Sequence, residues 1–257
     1  MSQVSESQVA KERSAAEEAV GEEEFVRFNK FHIAMHYLMA ISFMALVFTG
    51  MPLKYRNAAW AQVLMNIWGG VGGAGLIHRI AAAITLFYFG AEVAYGIGYC
   101  FIIKRMPIFG PDSMAPRWKD IKDLGHHIKY FFGVGPKPQF DRFTYWEKFD
   151  YLAVFWGMIA IGATGLALWF PEIAARFLPG KVFNIAIIMH SDEAVLAAGF
   201  IFVVHWFNTH WRPGKFPMDP VIFTGRVSKE ELMHERSLEW KRMQENPELM
   251  EKKKVKK

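Results

Sequence analysis

The sequence predicts an all-α integral membrane protein, a four-helix bundle with both termini in the cytoplasm. Three observations predict it. Hydrophobic residues fill 52% of the 257 positions and charged residues only 21%, and the charges gather in tails and connections instead of mixing through the helices. Four apolar stretches reach the roughly 20 residues a helix needs to cross a bilayer. Lys and Arg outside those stretches divide 25 to 4 between alternate connections, as the positive-inside rule requires of a multi-pass chain. The net charge of +5 therefore reads as a topology signal and not as a nucleic-acid footprint.

The first 26 residues are polar and acidic, with Glu17, Glu18, Glu22, Glu23 and Glu24. They lack the basic start and apolar core of a signal peptide, and a disordered cytoplasmic tail is expected. Residues 27–224 hold the four spans. The first (33–52) and third (151–170) contain no charged residue; the second (76–103) carries Arg79 and Glu92, and the fourth (182–207) carries Asp192 and Glu193. Four Lys/Arg precede the first span, nine lie between the second and third, and twelve follow the fourth. The opposite connections hold only Lys54 and Arg56, then Arg176 and Lys181. Residues 225–257 are expected to form a cytoplasmic helix and a basic tail. Ser228 and Glu231 fit a capping box for a helix over 228–246, with Leu232, Trp240 and Met243 as its apolar stripe. Lys252, Lys253, Lys254, Lys256 and Lys257 read as a solvated end with some attraction to anionic lipid.

The run Gly70-Val71-Gly72-Gly73-Ala74-Gly75 matches G-x-G-x-x-G. It is not a nucleotide fingerprint: no strand precedes it and no βαβ unit surrounds it. A flexible connection or a close helix approach is expected there.

Cys100 is the only cysteine, which excludes an internal disulfide, a self-contained iron–sulfur cluster and a covalently attached c-type haem. A redox cofactor would have to be held by the nine histidines. Neutral imidazoles on facing helices can grip haem iron inside a bundle. With the spans oriented by charge, His36 and His205 share the cytoplasmic level, and His78 and His190 share the outer level. His190 and His205 are 15 residues apart, roughly 22 Å along one helix and offset by about 60° around it, so one helix can face two stacked haems. Read singly, each of these histidines is an interfacial side chain; two depth-matched pairs point to two haems b. His32 lies one turn before His36 as a substitute ligand or propionate contact, and a zinc site from that pair lacks a third ligand. His210 is a weaker candidate than His205, His126 and His127 read as loop residues, and His234 has no chemical role.

Several stretches resemble the cytochrome b (gamma) subunit of respiratory formate dehydrogenases and related diheme quinone-linked cytochromes. They are Arg27-Phe28 with Met35-His36-Tyr37, Thr49-Gly50 with Pro52-Leu53, Leu76-Ile77-His78, and Phe143 through Lys148. Thr164-Gly165 with Leu168-Trp169, Ile188-Met189-His190, Val204-His205, and Gly225-Arg226-Val227-Ser228 followed by Trp240 complete the series. The similarity covers residues 27–243. It implies the same pairs, His36 with His205 and His78 with His190, as ligands of two haems b. The family spaces the fourth-span ligands by 14 residues, and here the spacing is 15; a helical bulge is the expected way to absorb the extra residue. The resemblance also implies a multi-subunit respiratory complex in the bacterial inner membrane. An iron–sulfur or multihaem cytochrome subunit would sit on its outer face, with menaquinone or ubiquinone as the second redox partner. By the same resemblance the quinone site falls near Thr144 and Glu147.

Glu92 adds a clue from the residues alone. It lies 14 residues after His78, at about the cytoplasmic haem's depth and offset by about 40°, and a carboxyl in a span faces the interior, paired, protonated or relaying protons. Arg79 is expected to contact a haem propionate, or Asp192 and Glu193 in a charge cluster. The functional expectation is electron transfer between quinone and a partner subunit, with no dehydrogenase site in this chain. Two other readings stay open: a self-sufficient transmembrane ascorbate- or ferric-type reductase, and a haem-free membrane anchor.

Overall fold

The structure, a computed structural model, describes residues 23–103 and 107–255. Its elements in chain order are β1 (Glu24–Val26), α1 (Lys30–Lys54), α2 (Ala59–Ile67), α3 (Gly70–Ile97), α4 (Trp118–Phe131), α5 (Tyr145–Trp169), α6 (Pro171–Ala174), α7 (Lys181–Gly199), α8 (Val221–Thr224), β2 (Arg226–Ser228), α9 (Lys229–Glu235), α10 (Ser237–Glu245) and α11 (Pro247–Lys253). α3 continues into a π-helical segment, Gly98–Ile103, and α7 into two more, Phe200–His205 and Phe207–Trp211.

Four helices are long and apolar enough to cross a membrane: Lys30–Lys54, Gly70–Ile102, Tyr145–Trp169 and Lys181–Trp211. Each contains most or all of an expected apolar stretch and overruns it, because a helix satisfies its own backbone in lipid and continues until capping groups or turns stop it. Asn29 caps α1 by accepting the His32 N–H (2.9 Å). Thr144 and Glu147 form a reciprocal capping box on α5: the Thr144 N–H donates to Glu147 Oε2 (2.8 Å) and the Glu147 N–H to Thr144 Oγ1 (3.3 Å). The glycine run is the first turns of α3. Gly69 and Gly70 take positive φ of 77° and 80°, and a Cβ on Gly73 would stand 1.8 Å from the Trp68 carbonyl oxygen. The close approach expected of those glycines is thus the chain folding back on its own turn.

The chain forms two compact units. One comprises residues 34–103 and 150–219. Here Thr85 Oγ1 donates to Ser42 Oγ (2.9 Å) and His78 meets Thr49 (2.9 Å). The two contacts are seven residues apart on each helix, in opposite directions, so α1 and α3 run antiparallel. Small or hydroxyl residues occupy most of the buried positions, Ala74, Ala81, Thr85 and Ala186 among them, which allows close helix approach. Large apolar side chains such as Ile41, Phe87, Trp156 and Leu196 point outward.

The other unit comprises residues 23–33, 107–149 and 220–255. β1 and β2 pair antiparallel, Phe25 opposite Val227, above a core of Phe25, Val221, Val227, Leu232 and Met243 with Trp240 against it. The apolar stripe expected of Leu232, Trp240 and Met243 is this core. The expected tail needs three corrections. Residues 1–22 lie outside the described residues, but Glu24–Val26 are a strand and not a disordered segment. The single helix over 228–246 is two, broken at Arg236, whose N–H still closes on the Leu232 carbonyl (3.0 Å); Ser228 caps the first by accepting the Glu231 N–H (3.2 Å). The basic end is not simply solvated: Lys253 pairs with Glu239 (2.5 Å) and Lys254 with Glu23 (2.7 Å), while Lys256 and Lys257 lie outside the described residues.

A buried ion network holds this unit together. Glu147 Oε1 accepts from Arg27 (2.7 Å) and Arg236 (3.1 Å), and Arg27 donates to the Arg142 carbonyl (3.0 Å). Burial, then the neighbouring Arg236, lowers Arg27 to about 10. Burial also opposes the Arg236 charge, but Glu147, Glu231 and Glu235 outweigh it and raise its pKa. Lys148, almost wholly enclosed, donates to both oxygens of Asp120 (3.0 and 2.9 Å). Gly225 ends α8 at φ 69°, and a Cβ there would stand 2.4 Å from the Phe28 carbonyl oxygen. Arg27-Phe28, Phe143 through Lys148, and Gly225 through Ser228 thus converge on one structural cluster.

His126 and His127 are on α4 and not in a loop. His127 is buried, stacked on Phe131 at 4.6 Å with Phe140, Tyr145 and Trp146 around it, and that burial holds its pKa below the usual histidine value.

Candidate functional site

His78 on α3 and His190 on α7 face each other with ring centroids 6.2 Å apart and planes at 69°. Each ring is fixed in the same way. Thr49 Oγ1 donates back to the Ala45 carbonyl (2.6 Å), so it can only accept from the His78 ring, whose Nδ1 lies 2.9 Å away. Thr164 Oγ1 likewise donates to the Ala160 carbonyl (2.7 Å), and His190 Nδ1 lies 3.1 Å from the Ile161 carbonyl, which can only accept. Both rings therefore carry the proton on Nδ1 and leave a lone pair on Nε2, the tautomer that ligates metal. The residue after each threonine is a glycine. A Cβ on Gly50 would stand 3.2 Å from His78 Cε1, and one on Gly165 3.0 Å from His190 Cε1. Thr49-Gly50 and Thr164-Gly165 are thus two copies of one device, a hydroxyl that orients an imidazole and a missing side chain that admits it.

The second pair is assembled differently. His205 Nδ1 lies 3.3 Å from Asp150 Oδ2, an acceptor that again leaves Nε2 free. His36 lies close enough to His205 and His210 to interact electrostatically. His210 is buried, and its Nδ1 accepts the Asp219 N–H (3.2 Å); its proton then sits on Nε2, which leaves His205 the better ligand of the two. The ring of His32 packs edge-on against Phe31 at 5.6 Å.

The fourth helix contains the bulge that the 15-residue spacing calls for. In Phe200–His205 the bonding shifts to i→i+5, with the Trp206 N–H on the Ile201 carbonyl. His190 meets Thr164 and His205 meets Asp150, so 15 residues of the fourth helix run beside 14 of the third. The π-helical turn takes up the extra residue.

The remaining site residues divide. Glu92 is half-buried on α3, within electrostatic reach of Tyr151. Arg79 is exposed and does not join the expected acid cluster, because Lys54 takes Asp192 and also donates to Ser191 Oγ (3.0 Å). Arg79 makes no ion pair among the described residues. Glu193 is half-buried and faces Gly157, where a Cβ would stand 3.7 Å from its Oε1. Thr144 and Glu147 belong to the capping box and the arginine network: Arg27 and Arg236 share one Glu147 oxygen, and Thr144 donates to the other through both N–H and Oγ1 (2.8 and 2.9 Å). Asp150 is the residue that the sequence reading missed. A lone Asp at the start of an apolar helix reads as an interfacial charge, and only the fold brings His205 to it.

The described residues contain no cluster of three or more His, Cys, Asp or Glu suited to a bare metal ion. A metal held by His78 and His190 alone would need its other ligands from a cofactor, as haem supplies them. Two imidazoles gripping one iron from opposite sides through bonds of about 2 Å, the usual imidazole–metal length, place their ring centroids about 6 Å apart. The His78–His190 spacing matches that separation. No protein-family model and no characterised protein matches the chain.

Proposed function

We propose that this chain is a membrane diheme cytochrome b that carries electrons between a quinone and a partner redox subunit. The observation that carries the reading is the His78–His190 pair: two half-buried imidazoles on different spans, 6.2 Å apart, each with its Nδ1 side engaged and its Nε2 side free. His78 and His190 would hold one haem b, and His36 and His205 the other. Two haems supply one-electron carriage between the faces of the bilayer. The division of 25 basic residues against 4 supports a four-helix bundle with both termini in the cytoplasm, which puts the His36–His205 haem on the cytoplasmic side. The resemblance to formate dehydrogenase gamma subunits supports a bacterial inner-membrane complex, with an iron–sulfur or multihaem subunit on the outer face and menaquinone or ubiquinone as substrate.

The protein's own groups have distinct tasks in that reading. Thr49, Thr164 and the Ile161 carbonyl orient the outer imidazoles and keep their Nε2 lone pairs available. Asp150 does the same for His205 and adds negative charge, which favours the oxidised state of a cofactor held there. Arg79, exposed beside His78, is the cation available to a propionate. Glu92, a carboxyl inside a span, is the group best placed to give or take the protons of quinone chemistry. Glu147, closed in its ion network, positions the start of the third span and is removed from the proton path.

The test is haem content in protein purified from membranes. Two haems per chain are expected, with one lost in H78A or H190A and the other in H36A or H205A. E92Q is expected to keep both and slow quinone turnover. A properly inserted chain without haem would refute the reading.

A further inference from the structure

The helix Trp118–Phe131 is built inside out. Trp118, Ile121, Leu124, Ile128, Phe131 and the following Phe132 are each between 42% and 80% exposed, and at about 100° per residue they fall within an arc of roughly 140°. The polar side is the buried one. Asp120 receives Lys148, Asp123 pairs with Lys119, and His127 meets the Tyr145 hydroxyl (3.1 Å). Lys122, His126 and Lys129 are exposed along one edge of the apolar arc. Water is a poor solvent for six contiguous large apolar side chains, so something covers them.

We propose that this helix lies in the bilayer surface, with its apolar arc among the lipid chains and Lys122 and Lys129 at anionic headgroups. Two observations choose lipid over a protein partner. The helix is pinned by Asp120–Lys148 and His127–Tyr145 to the first residues of Tyr145–Trp169, a helix long and apolar enough to cross the membrane, so it sits where that span begins. The lysines border the arc, which is the order of an interfacial helix: apolar face inward, cations at headgroup level. The inference rests on the span and not on the haem reading.

The full chain in nanodiscs of phosphatidylethanolamine and phosphatidylglycerol tests it. In a C100S background, nitroxides placed by I121C, L124C and I128C should collide with oxygen more than with an aqueous nickel chelate. Those placed by K122C and H126C should show the reverse, so the depth parameter changes sign around the helix. Chelate dominance at all five positions would overturn the proposal. So would shielding of 121, 124 and 128 from both probes, which would mean that a partner or a second copy covers the face. Trp118 gives a reading without cysteines: bromine on the lipid chains should quench a component of tryptophan emission that W118F lacks, and equal quenching in both proteins would count against lipid contact.

Discussion

Replacing Gly165 with alanine separates the needs of the helix from those of the site. On the helix alone the change is favourable, since alanine is about 1 kcal/mol better than glycine in a helix interior. At the site it is not. The new Cβ would stand 3.0 Å from His190 Cε1 and 3.3 Å from its Nδ1, whereas carbon atoms rest at about 3.5–4.0 Å. The ring must retreat by about 0.5–1 Å, beyond the roughly 0.5 Å tolerance of a preorganised site. Disturbing the groups that orient a metal-bound histidine typically costs 10–100-fold in affinity, or about 1.4–2.7 kcal/mol. On the proposed diheme reading, G165A is therefore expected to unfold no more easily than the parent yet release the haem assigned to His78 and His190 10–100-fold more readily, with the haem assigned to His36 and His205 unaffected. G50A, whose Cβ would meet His78 Cε1 at 3.2 Å, should weaken the same haem less. The assay is haem-to-protein ratio and haem transfer to an acceptor globin, read beside thermal unfolding. Parent-like haem retention in both variants would show that these glycines do not admit ligating imidazoles.

E147Q leaves Arg27 and Arg236 buried around a neutral amide and should destabilise the unit that holds them by about 3–5 kcal/mol, measured by denaturant unfolding, with haem content unchanged. Glu23, lowered from 4.5 to about 2 first by Lys229 and then by Lys254, contributes stability that is complete above pH 4.5 and lost as pH falls from there toward 2; E23Q should flatten that part of the acid-unfolding profile. Deleting Val203, an exposed residue of the π-helical turn, should regularise the fourth helix and keep both haems, while an alanine inserted after it should cost the His205 haem; spectra of the two variants decide.

The spans were legible because lipid imposes one requirement on every residue of a helix, so length and apolar content were enough. The second unit was less legible. Its three chain segments are far apart in sequence, and the ion network of Arg27, Glu147 and Arg236 gives no periodic signal. Charged residues at the start of an apolar helix look alike whether they face water, lipid or one another. The same ambiguity hid α4: Trp118, Ile121, Leu124, Ile128 and Phe131 recur at helical spacing, but a connection rich in Lys and Gly reads first as loop. It also assigned Asp192 to Arg79, when Lys54, outside the expected second span, reaches it instead.

In the candidate site, composition could nominate the histidines, but only contacts could give each ring a tautomer. Thr49-Gly50 and Thr164-Gly165 are visible as repeated dipeptides, yet their meaning depends on which helix lies opposite. One hydroxyl has to satisfy its own backbone carbonyl before it can accept from an imidazole, and the space beside it has to be empty. The spacing of His190 and His205 works similarly. Fifteen residues in a regular helix would turn His205 about 100° further around the axis than fourteen would, away from the face that meets Asp150. A π-helical turn restores that face while leaving the fourth helix one residue longer than the stretch of the third it accompanies. Such turns are costly in hydrogen-bond geometry and persist mostly where a side chain must be aimed. The first π-helical segment ends on His205 itself and a second carries on to the end of the helix at Trp211, so the irregularity begins between the two histidines and sets the register at which His205 meets Asp150.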